Sequence, residues 1–307
     1  MSLRRSAMLA AAGGALAAAA ILVWKPTVLV YGVQRAGLYA AVAIPMALVL
    51  GIVHIVNLAH GELLMVAAYL TYFGATLLGV DPYVALAPTA VVMAALGLAI
   101  YNLAIKHTLK APELNQLILT FGLGIALSQG VNLVFSSQSF KLSLGYVSAS
   151  ATIGDTSFGV YDFAFVAAAF AIGYGLRLFL TRTRFGKAAL AVGQNPRGAA
   201  IVGIDVNRTY GIVFALAVAL VGAVGSMFLT KQAIFPDVGG PYTMKSFCLV
   251  AMAGVGNITG IIYCSLVLGV AEAAINGLRG LRGWSDIVFF AIIVATILAR
   301  SRAESRR

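Results

Sequence analysis

The sequence has 307 residues, of which only 10% are charged and 61% are hydrophobic, and its mean hydropathy is +0.96. Soluble globular domains carry about 25% charged and roughly 45–50% apolar residues, so this composition excludes a water-soluble monomer and a disordered chain. It indicates an all-α polytopic membrane protein with about eight to ten transmembrane helices, some of them short or broken. We expect a single transmembrane domain over residues 1–307.

The net charge of +11 does not indicate a nucleic-acid partner, because of where the basic residues lie. Lys and Arg are concentrated in the N-terminal tail, in a few loops between apolar segments and in the C-terminal tail. This placement is typical of a multi-pass protein that uses positive charge to fix its orientation in the bilayer. Cys248 and Cys264 lie in apolar segments, and nothing predicts that they form a metal site or a disulfide.

Residues 1–24 combine a basic tail with an Ala-rich apolar run, which is the arrangement of a signal peptide or of an uncleaved first span. We favour the uncleaved span because the rest of the chain is equally apolar. Six further spans are predicted from apolar segments of suitable length. In chain order they cover residues 35–53, 58–79, 83–106, 113–135, 161–180 and 210–229.

Three loops separate the later apolar segments. Residues 136–160 are rich in Ser, Thr and Gly, residues 181–208 carry five basic residues against Asp205, and residues 231–245 are weakly charged. The segment that follows, at 246–256, is too short to cross a bilayer alone as a straight helix, so we predict a half-span or a re-entrant piece there. The last two apolar segments are 259–277 and 285–299.

The basic segments predict the orientation of the chain. The N-terminal tail, the loops 106–112 and 181–208, and the tail from Arg300 are expected on the cytoplasmic side. Both termini are then inside, which requires an even number of crossings. Arg279 and Arg282 lie outside if both 246–256 and 259–277 cross, so the number of crossings in that region stays open.

The densest polar group in an apolar context is His54-Ile-Val-Asn57-Leu-Ala-His60-Gly-Glu62. A charged side chain at the centre of a membrane helix costs roughly 2.5–3.5 kcal/mol on insertion scales. One interpretation is an interfacial turn in which Asn57 caps the next span and Glu62 lies favourably in its first turns. The other is a pore-lining or gating role. The spacing does not indicate a zinc site.

Two further polar positions lie within apolar sequence. Glu272 needs a partner or a water-lined cavity, with Asn276 one turn later on the same face, so a pathway role and a structural hydrogen bond are both open. Asn257 belongs to the glycine-rich run Gly254–Gly260. This run predicts either close helix packing with a helix break or the lining of a polar pathway.

Catalytic signatures are missing from the sequence, which has no HExxH and no G-x-S-x-G motif. The stretch Phe185-Gly-Lys-Ala188 lacks the upstream Gly and the Ser or Thr of a Walker A motif. We therefore expect no enzymatic activity, no cofactor and no metal. Any ATP hydrolysis is expected in partner subunits.

The loop 181–208 is longer than a simple connection and contains two Ala-rich amphipathic pieces. They flank Gln194-Asn195-Pro196, where the Asn-Pro pair marks a turn or a helix start. A short helix of this kind can dock into a groove of a partner through its apolar face.

The arrangement Gly186-Lys-Ala188, then Asn195, Ala199 and Gly203-Ile204, resembles the cytoplasmic coupling loop of permease subunits of branched-chain amino acid ABC importers. Three other stretches are similar to the pattern of that family and follow the same order. With them the resemblance extends from about residue 35 to 300. These stretches are Val56–Met65 with Ala68-Tyr69, Leu119–Gly122 and Ala253–Gly260.

The resemblance implies one half of a translocation pathway for branched-chain or other hydrophobic amino acids in the bacterial inner membrane. The implied partners are a second permease subunit, two cytoplasmic ATP-binding subunits and a periplasmic substrate-binding protein, with membrane lipid around them. The implied ATPase-coupling residues are Gly186, Ala188, Asn195, Ala199, Gly203 and Ile204. The candidate pathway residues are Asn57, His60, Glu62, Asn257 and Glu272.

Other functions stay open on the sequence alone. Permeases of the same family also serve urea, short amides and aromatic acids. An ion-coupled secondary transporter is the alternative from a different class, and it needs intramembrane acids or cation ligands and often shows repeat symmetry. Only Glu62 and Glu272 qualify as such acids, and no clear repeat is visible.

Overall fold

The computed structural model describes residues 26–109, 111–153, 156–278, 282–287 and 289–294. The predicted first span at residues 1–24, both basic tails and Arg279 lie outside these ranges. Within the described residues, seven helices are long and apolar enough to cross a membrane. The chain is an all-α, multi-pass membrane protein, which confirms the fold class predicted from its composition.

The helices are named here in chain order. They are α1 Pro26–Ile52, α2 His60–Leu78, α3 Leu86–Ile100, α4 Glu113–Phe135, α5 Phe163–Arg182, α6 Arg184–Gln194, α7 Pro196–Ile201, α8 Val206–Phe228, α9 Gly240–Ala253 and α10 Ile258–Gly277. α3 continues through a π-helical turn, Tyr101–Ile105, into a last turn, Lys106–Thr108. Helical residues follow α10 at 285–287 and 289–294.

Local signals in the sequence account for several helix ends. The side chains of Thr183, Asn195 and Asp205 accept backbone N–H bonds at the starts of α6, α7 and α8, as N-cap residues do. Gly79 follows α2 with a φ of 65°, a left-handed conformation that glycine adopts without steric cost. Helix α6 and helix α7 confirm the two predicted pieces on either side of Gln194-Asn195-Pro196.

Two predicted boundaries are wrong for the same physical reason. The second span was predicted to begin at Arg35, but α1 begins at Pro26. Lys245 was placed in a loop, but it lies inside α9. Both cations pair with Glu272 within the bundle, so neither charge has to lie at a helix end.

Helices α1 and α8 form the centre of the bundle. α1 packs against α10, α5, α9 and α8, while α8 packs against α3 and α2. α4 is the opposite case, because only Thr120, Gly124 and Ser128 of its residues are buried. Most of the surface of α4 is therefore available to lipid or to another subunit.

Three hydroxyl groups connect α2, α3 and α8 in the interior. Thr71 Oγ1 lies 2.7 Å from Ser226 Oγ and 3.2 Å from Thr89 Oγ1, and all three side chains are buried. Hydrogen bonds between membrane helices contribute on average about 0.6 kcal/mol each in measured cases. This contact fixes the register of the three helices more than it adds stability.

The predicted loop 136–160 contains a short antiparallel hairpin. Its strands are β1 Ser150–Ile153 and β2 Thr156–Gly159, with Ser150 opposite Gly159. Tyr31 and Gln34, on the first turns of α1, donate hydrogen bonds to carbonyl oxygens of β2 at 2.8 and 2.9 Å. The hairpin therefore covers the end of the bundle at which α1 begins.

The predicted half-span is α9, and its two ends lie at different levels of the bundle. Its start at Gly239-Gly240 contacts Gly61 in the first turn of α2. The turn after it contacts the end of α1, because a Cβ on Gly51 would lie 3.1 Å from the Cα of Gly256. A Cβ on Gly193 of α6 would likewise lie 3.1 Å from the carbonyl oxygen of Gly51. α9 therefore leads from the start of α2 to the end of the bundle occupied by α6.

Helix α10 returns the chain to the opposite end. A Cβ on Gly277 would lie 3.5 Å from a methyl group of Val28, near the start of α1. Arg282 follows shortly after in a 3₁₀ turn. Together with the stretch that precedes it, α9 thus makes one crossing and α10 makes the next, which places the backbone of Arg282 at the end opposite α6.

Candidate functional site

A helix break lies inside the bundle between α1 and α2. The chain leaves helical geometry after Ile52, runs through residues 53–59 and becomes helical again at His60. Asn57 is buried, and its side-chain Oδ1 accepts a hydrogen bond from the Ala59 N–H at 3.1 Å. The residue before α2 is Ala59, which provides no side-chain cap. Asn57 therefore stabilises the turn before the helix. One interpretation of the sequence expected Asn57 to cap α2, and the structure shows that it does not.

His60 ties this break to the middle of α1. Its Nε2 lies 2.8 Å from the carbonyl oxygen of Val42, and the side chain is only 1% exposed. Because a carbonyl oxygen can only accept, Nε2 carries the proton and donates it. Val42 lies well inside α1, so the break is within the bundle and not at its surface. His60 therefore links the start of α2 to the middle of α1 through this hydrogen bond.

The start of α2 also meets the start of α9. The Gly61 N–H donates a hydrogen bond of 2.7 Å to Thr243 Oγ1. A Cβ on Gly61 would lie 2.0 Å from the carbonyl oxygen of Gly239, so only glycine permits this approach. We call the meeting point of these two helix starts, formed by residues 57–62 and 239–243, the central junction.

Glu62 lies between the two helix starts of the central junction. Its Oε2 is buried without a hydrogen-bond partner in the described chain. A Cβ on Gly239 would lie 2.1 Å from this oxygen, so the carboxylate sits directly over the first turn of α9 while belonging to the first turn of α2. The N-terminal ends of helices carry partial positive charge. Two such ends meet at this one carboxyl group.

A second acid extends this polar region towards α4. Asp237, in the stretch that precedes α9, accepts a hydrogen bond of 2.8 Å from Ser128 Oγ of α4. Ser128 is one of the few buried residues of that helix. The polar region beside the central junction therefore reaches α4, the helix that is mostly exposed.

Glu272 lies in a separate cluster of charged residues. Its side chain is 5% exposed and accepts hydrogen bonds from the Arg35 guanidinium and the Tyr39 hydroxyl. Lys245 Nζ lies 3.6 Å from the same carboxylate and 2.9 Å from Asp286. These residues come from α1, α9, α10 and the segment after α10, and we call them the ion-pair cluster.

Sequence reasoning identified Glu272 but missed its partners. Lys245 also lies 3.1 Å from the Tyr39 hydroxyl and 5.0 Å from the ring centroids of Tyr39 and Phe289. Glu272 and Asp286 together balance the charges of the two cations, so the cluster leaves no uncompensated charge. The signal that could have revealed the pairing was the presence of two cations within otherwise apolar helical stretches.

Asn257 lies at the far end of α9, away from the central junction. Its Oδ1 accepts a hydrogen bond from the Gly260 N–H at 2.9 Å, and its Nδ2 donates to the carbonyl oxygen of Ala253 at 3.1 Å. It therefore caps α10 and spans the break between α9 and α10. Of the five predicted pathway residues, the structure brings Asn57, His60 and Glu62 together and places Glu272 and Asn257 elsewhere.

The segment of α6 and α7 forms a compact turn at one end of the bundle. Asn195 Oδ1 accepts the Gly198 N–H at 2.9 Å and Pro196 occupies the first turn of α7. Gly203, with a φ of 87°, then reverses the chain, and the Ile204 N–H bonds to the carbonyl oxygen of Ala199 at 3.0 Å. The spacing of Asn195, Ala199 and Gly203-Ile204 in the sequence thus reflects the cap at the start of α7 and the chain reversal after it.

The same segment has one buried and one exposed side. Gly186 and Ala199 are buried, and a Cβ on Gly186 would lie 2.2 Å from the carbonyl oxygen of Phe179 in α5. Ala188 is half-buried, and Asn195 and Gly203 are exposed. Ile201 and Val202, which sequence reasoning did not single out, are 85% and 75% exposed. The segment is therefore fixed to the bundle and presents two apolar side chains outward.

Groups of three or more His, Cys, Asp or Glu side chains that could hold a metal ion do not occur within the ranges that the structure describes. Apart from Glu62, the polar residues singled out in the central junction and in the ion-pair cluster bond to the protein itself. Their arrangement is that of a membrane protein with broken helices, in which irregular backbone is buried within the bundle.

Comparison with known proteins identifies the family. A family model described as branched-chain amino acid transport system / permease component matches residues 28–297. The chain belongs to this permease family. It is a family of permeases and not a class of enzymes. No solved structure matches the chain significantly.

Several curated relatives of this permease are known. It is 28% identical over 286 residues to the high-affinity branched-chain amino acid transport system permease protein BraD of Pseudomonas aeruginosa, covering 89% of this chain and 92% of BraD. It is 26% identical to LivH of Escherichia coli, a permease protein of the same description, covering 87% and 91%. The L-arabinose transport system permease protein AraH of Escherichia coli is 28% identical over 61% of this chain and 56% of its own length.

Proposed function

We propose that this permease is one of two membrane subunits of an ATP-driven ABC importer in a bacterial inner membrane, and that it carries branched-chain or other hydrophobic amino acids. The solute is supported by the names of BraD and LivH, each of which covers most of the chain. The alternative solutes are urea, short amides and aromatic acids. The remaining partners are two cytoplasmic ATP-binding subunits, which hydrolyse ATP, and a periplasmic substrate-binding protein.

The observation that carries the proposal is the exposed apolar side of the α6–α7 segment. Ile201 and Val202 are exposed on a turn whose other residues are fixed by caps and by glycine contacts to the bundle. Exposed apolar residues on a rigid turn fit a groove on a partner. In an ABC importer, that partner is an ATP-binding subunit.

A continuous line of backbone contacts leads from this turn into the membrane. Gly193 of α6 contacts Gly51 of α1, Gly51 contacts Gly256 after α9, and the start of α9 contacts Gly61. Close backbone contacts transmit displacement because they leave no side chain to rearrange. A movement of the ATP-binding subunits would therefore reach the central junction through α1 and α9.

The five candidate pathway residues then take different roles. Asn57 and His60 hold the helix break, Asn257 holds the turn between α9 and α10, and Glu272 binds the two cations of the ion-pair cluster. Among these five residues, Glu62 differs in having a buried side-chain oxygen, Oε2, without a hydrogen-bond partner in the described residues. We assign to Glu62 the most direct influence on a solute that passes the central junction.

An uptake assay tests the proposal. The complex would be purified gently from its native membrane, reconstituted into liposomes with ATP on the α6–α7 side, and supplied with its binding protein and labelled leucine. We expect ATP-dependent uptake that unlabelled leucine, isoleucine and valine suppress. Uptake driven by an ion gradient without ATP would instead support the secondary transporter, and suppression by urea or amides alone would reassign the solute.

A further inference from the structure

A groove of about 430 Å³ lies on the side of the bundle between α5 and the start of α10. Phe170 and Tyr174 form its wall on α5 and are 57% and 71% exposed, while Ile258 and Ile262 line it from α10. Gly173 lies between them, and a Cβ there would already be 3.4 Å from Ile258. The missing side chain at Gly173 thus leaves a concave apolar surface between the two helices.

One end of this groove carries a positive charge. Among the described residues that line the groove, Arg177 alone is charged. Arg177 makes no ion pair within the described part of the chain. It lies five residues before the end of α5, which is about 7.5 Å along the helix. A basic side chain this close to the end of a membrane-spanning helix can reach the polar surface of the bilayer. The exposed hydroxyl-bearing residue Thr259 lines the same groove from α10.

The surroundings of Arg177 favour an anion over a cation. The next basic residues along the chain, Arg182, Arg184 and Lys187, are exposed on the same end of the bundle. No described acid lines the groove. An unpaired cation at membrane depth is costly unless it reaches the polar surface or meets an anionic group. Basic recesses between transmembrane helices commonly bind acidic lipid head groups.

We propose that this groove binds an anionic phospholipid of the bilayer leaflet on the α6–α7 side. The phosphodiester lies at Arg177, and an acyl chain lies along Phe170, Tyr174 and Ile262. The apolar walls match hydrocarbon, and the lone cation matches a single negative charge. A zwitterionic lipid gains less at this site, because its own cationic group weakens the attraction to Arg177. The inference concerns the lipid surroundings of the permease and does not depend on its solute.

Site-specific fluorescence quenching tests this proposal. Tyr174 would be changed to Trp in the full-length chain, within its purified complex, with Trp24 and Trp284 replaced by Phe. The complex would be reconstituted into phosphatidylcholine bilayers that contain increasing fractions of brominated phosphatidylglycerol or brominated phosphatidylcholine with the same acyl chains. We expect the phosphatidylglycerol to quench with about fivefold higher relative affinity, the preference expected from one basic residue near the surface.

Two charge variants locate the preference. Arg177→Gln is expected to abolish it, so that both lipids quench equally. Arg182→Gln removes a charge from the same helix but does not line the groove, so it should leave most of the preference intact. Equal quenching before any charge is removed would overturn the proposal, and so would a preference that Arg182 rather than Arg177 controls. Quenching by neither lipid would also overturn the proposal, because lipid would then have no access to the groove.

Discussion

The central junction and the α6–α7 segment both interrupt helices, but they distribute polar and apolar side chains in opposite ways. In the junction, Asn57 and His60 are buried and bonded to backbone groups. In the α6–α7 segment, the capping residue Asn195 is exposed, and the apolar residues Ile201 and Val202 are exposed beside it. A helix break whose polar side chains are buried and bonded to the backbone maintains the fold. A break that leaves apolar side chains unpacked is suited to a partner.

The largest effect that this comparison predicts is a loss of transport without a loss of stability. Changing Ile201 and Val202 together to Ser removes two exposed apolar side chains, so the melting temperature of the permease should change little. ATP-driven leucine uptake should fall at least about tenfold, because truncation of the few residues that dominate an interface costs about 2 kcal/mol or more of binding.

The neighbouring variant Ala200→Ser is the control, since Ala200 is also exposed on this turn but has almost no side chain to lose. It should retain uptake. A double variant with full uptake would remove the observation on which the proposed function rests. Gly186 and Ala199 are unsuitable for this experiment, because both are buried and their substitution would disturb packing as well as docking.

The ion-pair cluster should show the largest effect on stability. Glu272→Gln leaves Arg35 and Lys245 without their shared carboxylate. Removing one partner from a buried pair typically costs about 3–5 kcal/mol, and the partial exposure of Arg35 places the expected loss at the lower end of that range. Thermal unfolding of the purified permease measures it.

The matched control for the cluster is Glu113→Gln. Glu113 lies exposed in the first turn of α4 and interacts mainly with the helix end, which is worth about 0.3–1 kcal/mol. If both variants lowered the melting temperature equally, the ion-pair cluster would contribute nothing specific to the fold.

Two glycines of α2 sharpen the account of the central junction. Gly61→Ala places a methyl group 2.0 Å from the Gly239 carbonyl oxygen, whereas Gly74→Ala meets no atom within 4 Å. We expect a loss of about 2 kcal/mol for the first variant from overpacking. The second should be neutral or slightly stabilising, because Ala favours helix over Gly by up to about 1 kcal/mol. Equal melting temperatures would contradict the close contact between α2 and α9.

The smallest expected effect concerns the turn between α9 and α10. Asn257→Ala removes the cap on the Gly260 N–H and should cost about 1 kcal/mol of stability. Asn102→Ala is the comparison, since Asn102 only bonds back to Leu98 within its own helical stretch. A difference of less than a few tenths between the two variants would show that the cap does not hold this turn.

The amino-acid sequence predicted the elements of this protein better than their partners. Spans, the half-span and the two helical pieces around Asn195 follow from local hydropathy, glycine and proline. The pairing of Arg35 with Glu272 joins residues 237 positions apart. Hydropathy averages over neighbours in sequence, so it treated Arg35 and Lys245 as the ends of apolar segments.

The candidate functional residues also divide into those that the sequence reveals and those that only the structure reveals. The polar cluster at residues 54–62 was visible because polar residues are rare in membrane spans. Its contact with Gly239 and Thr243 depends on how α2 and α9 meet, which no local pattern encodes. Ile201 and Val202 were missed because apolar residues are common in this chain, and only the structure shows that these two are exposed.

Crosslinking from the α6–α7 segment tests most directly whether this chain is driven by ATP-binding subunits. Val202→Cys would be introduced after replacement of Cys248 and Cys264 by Ala, and native membranes would be treated with a short thiol-to-amine reagent. We predict an adduct with an ATP-binding subunit whose yield changes when ATP is added, and no such adduct from Val92→Cys, an exposed position on α3. Failure of Val202→Cys to form this adduct, or an equal yield from both positions, would contradict the account.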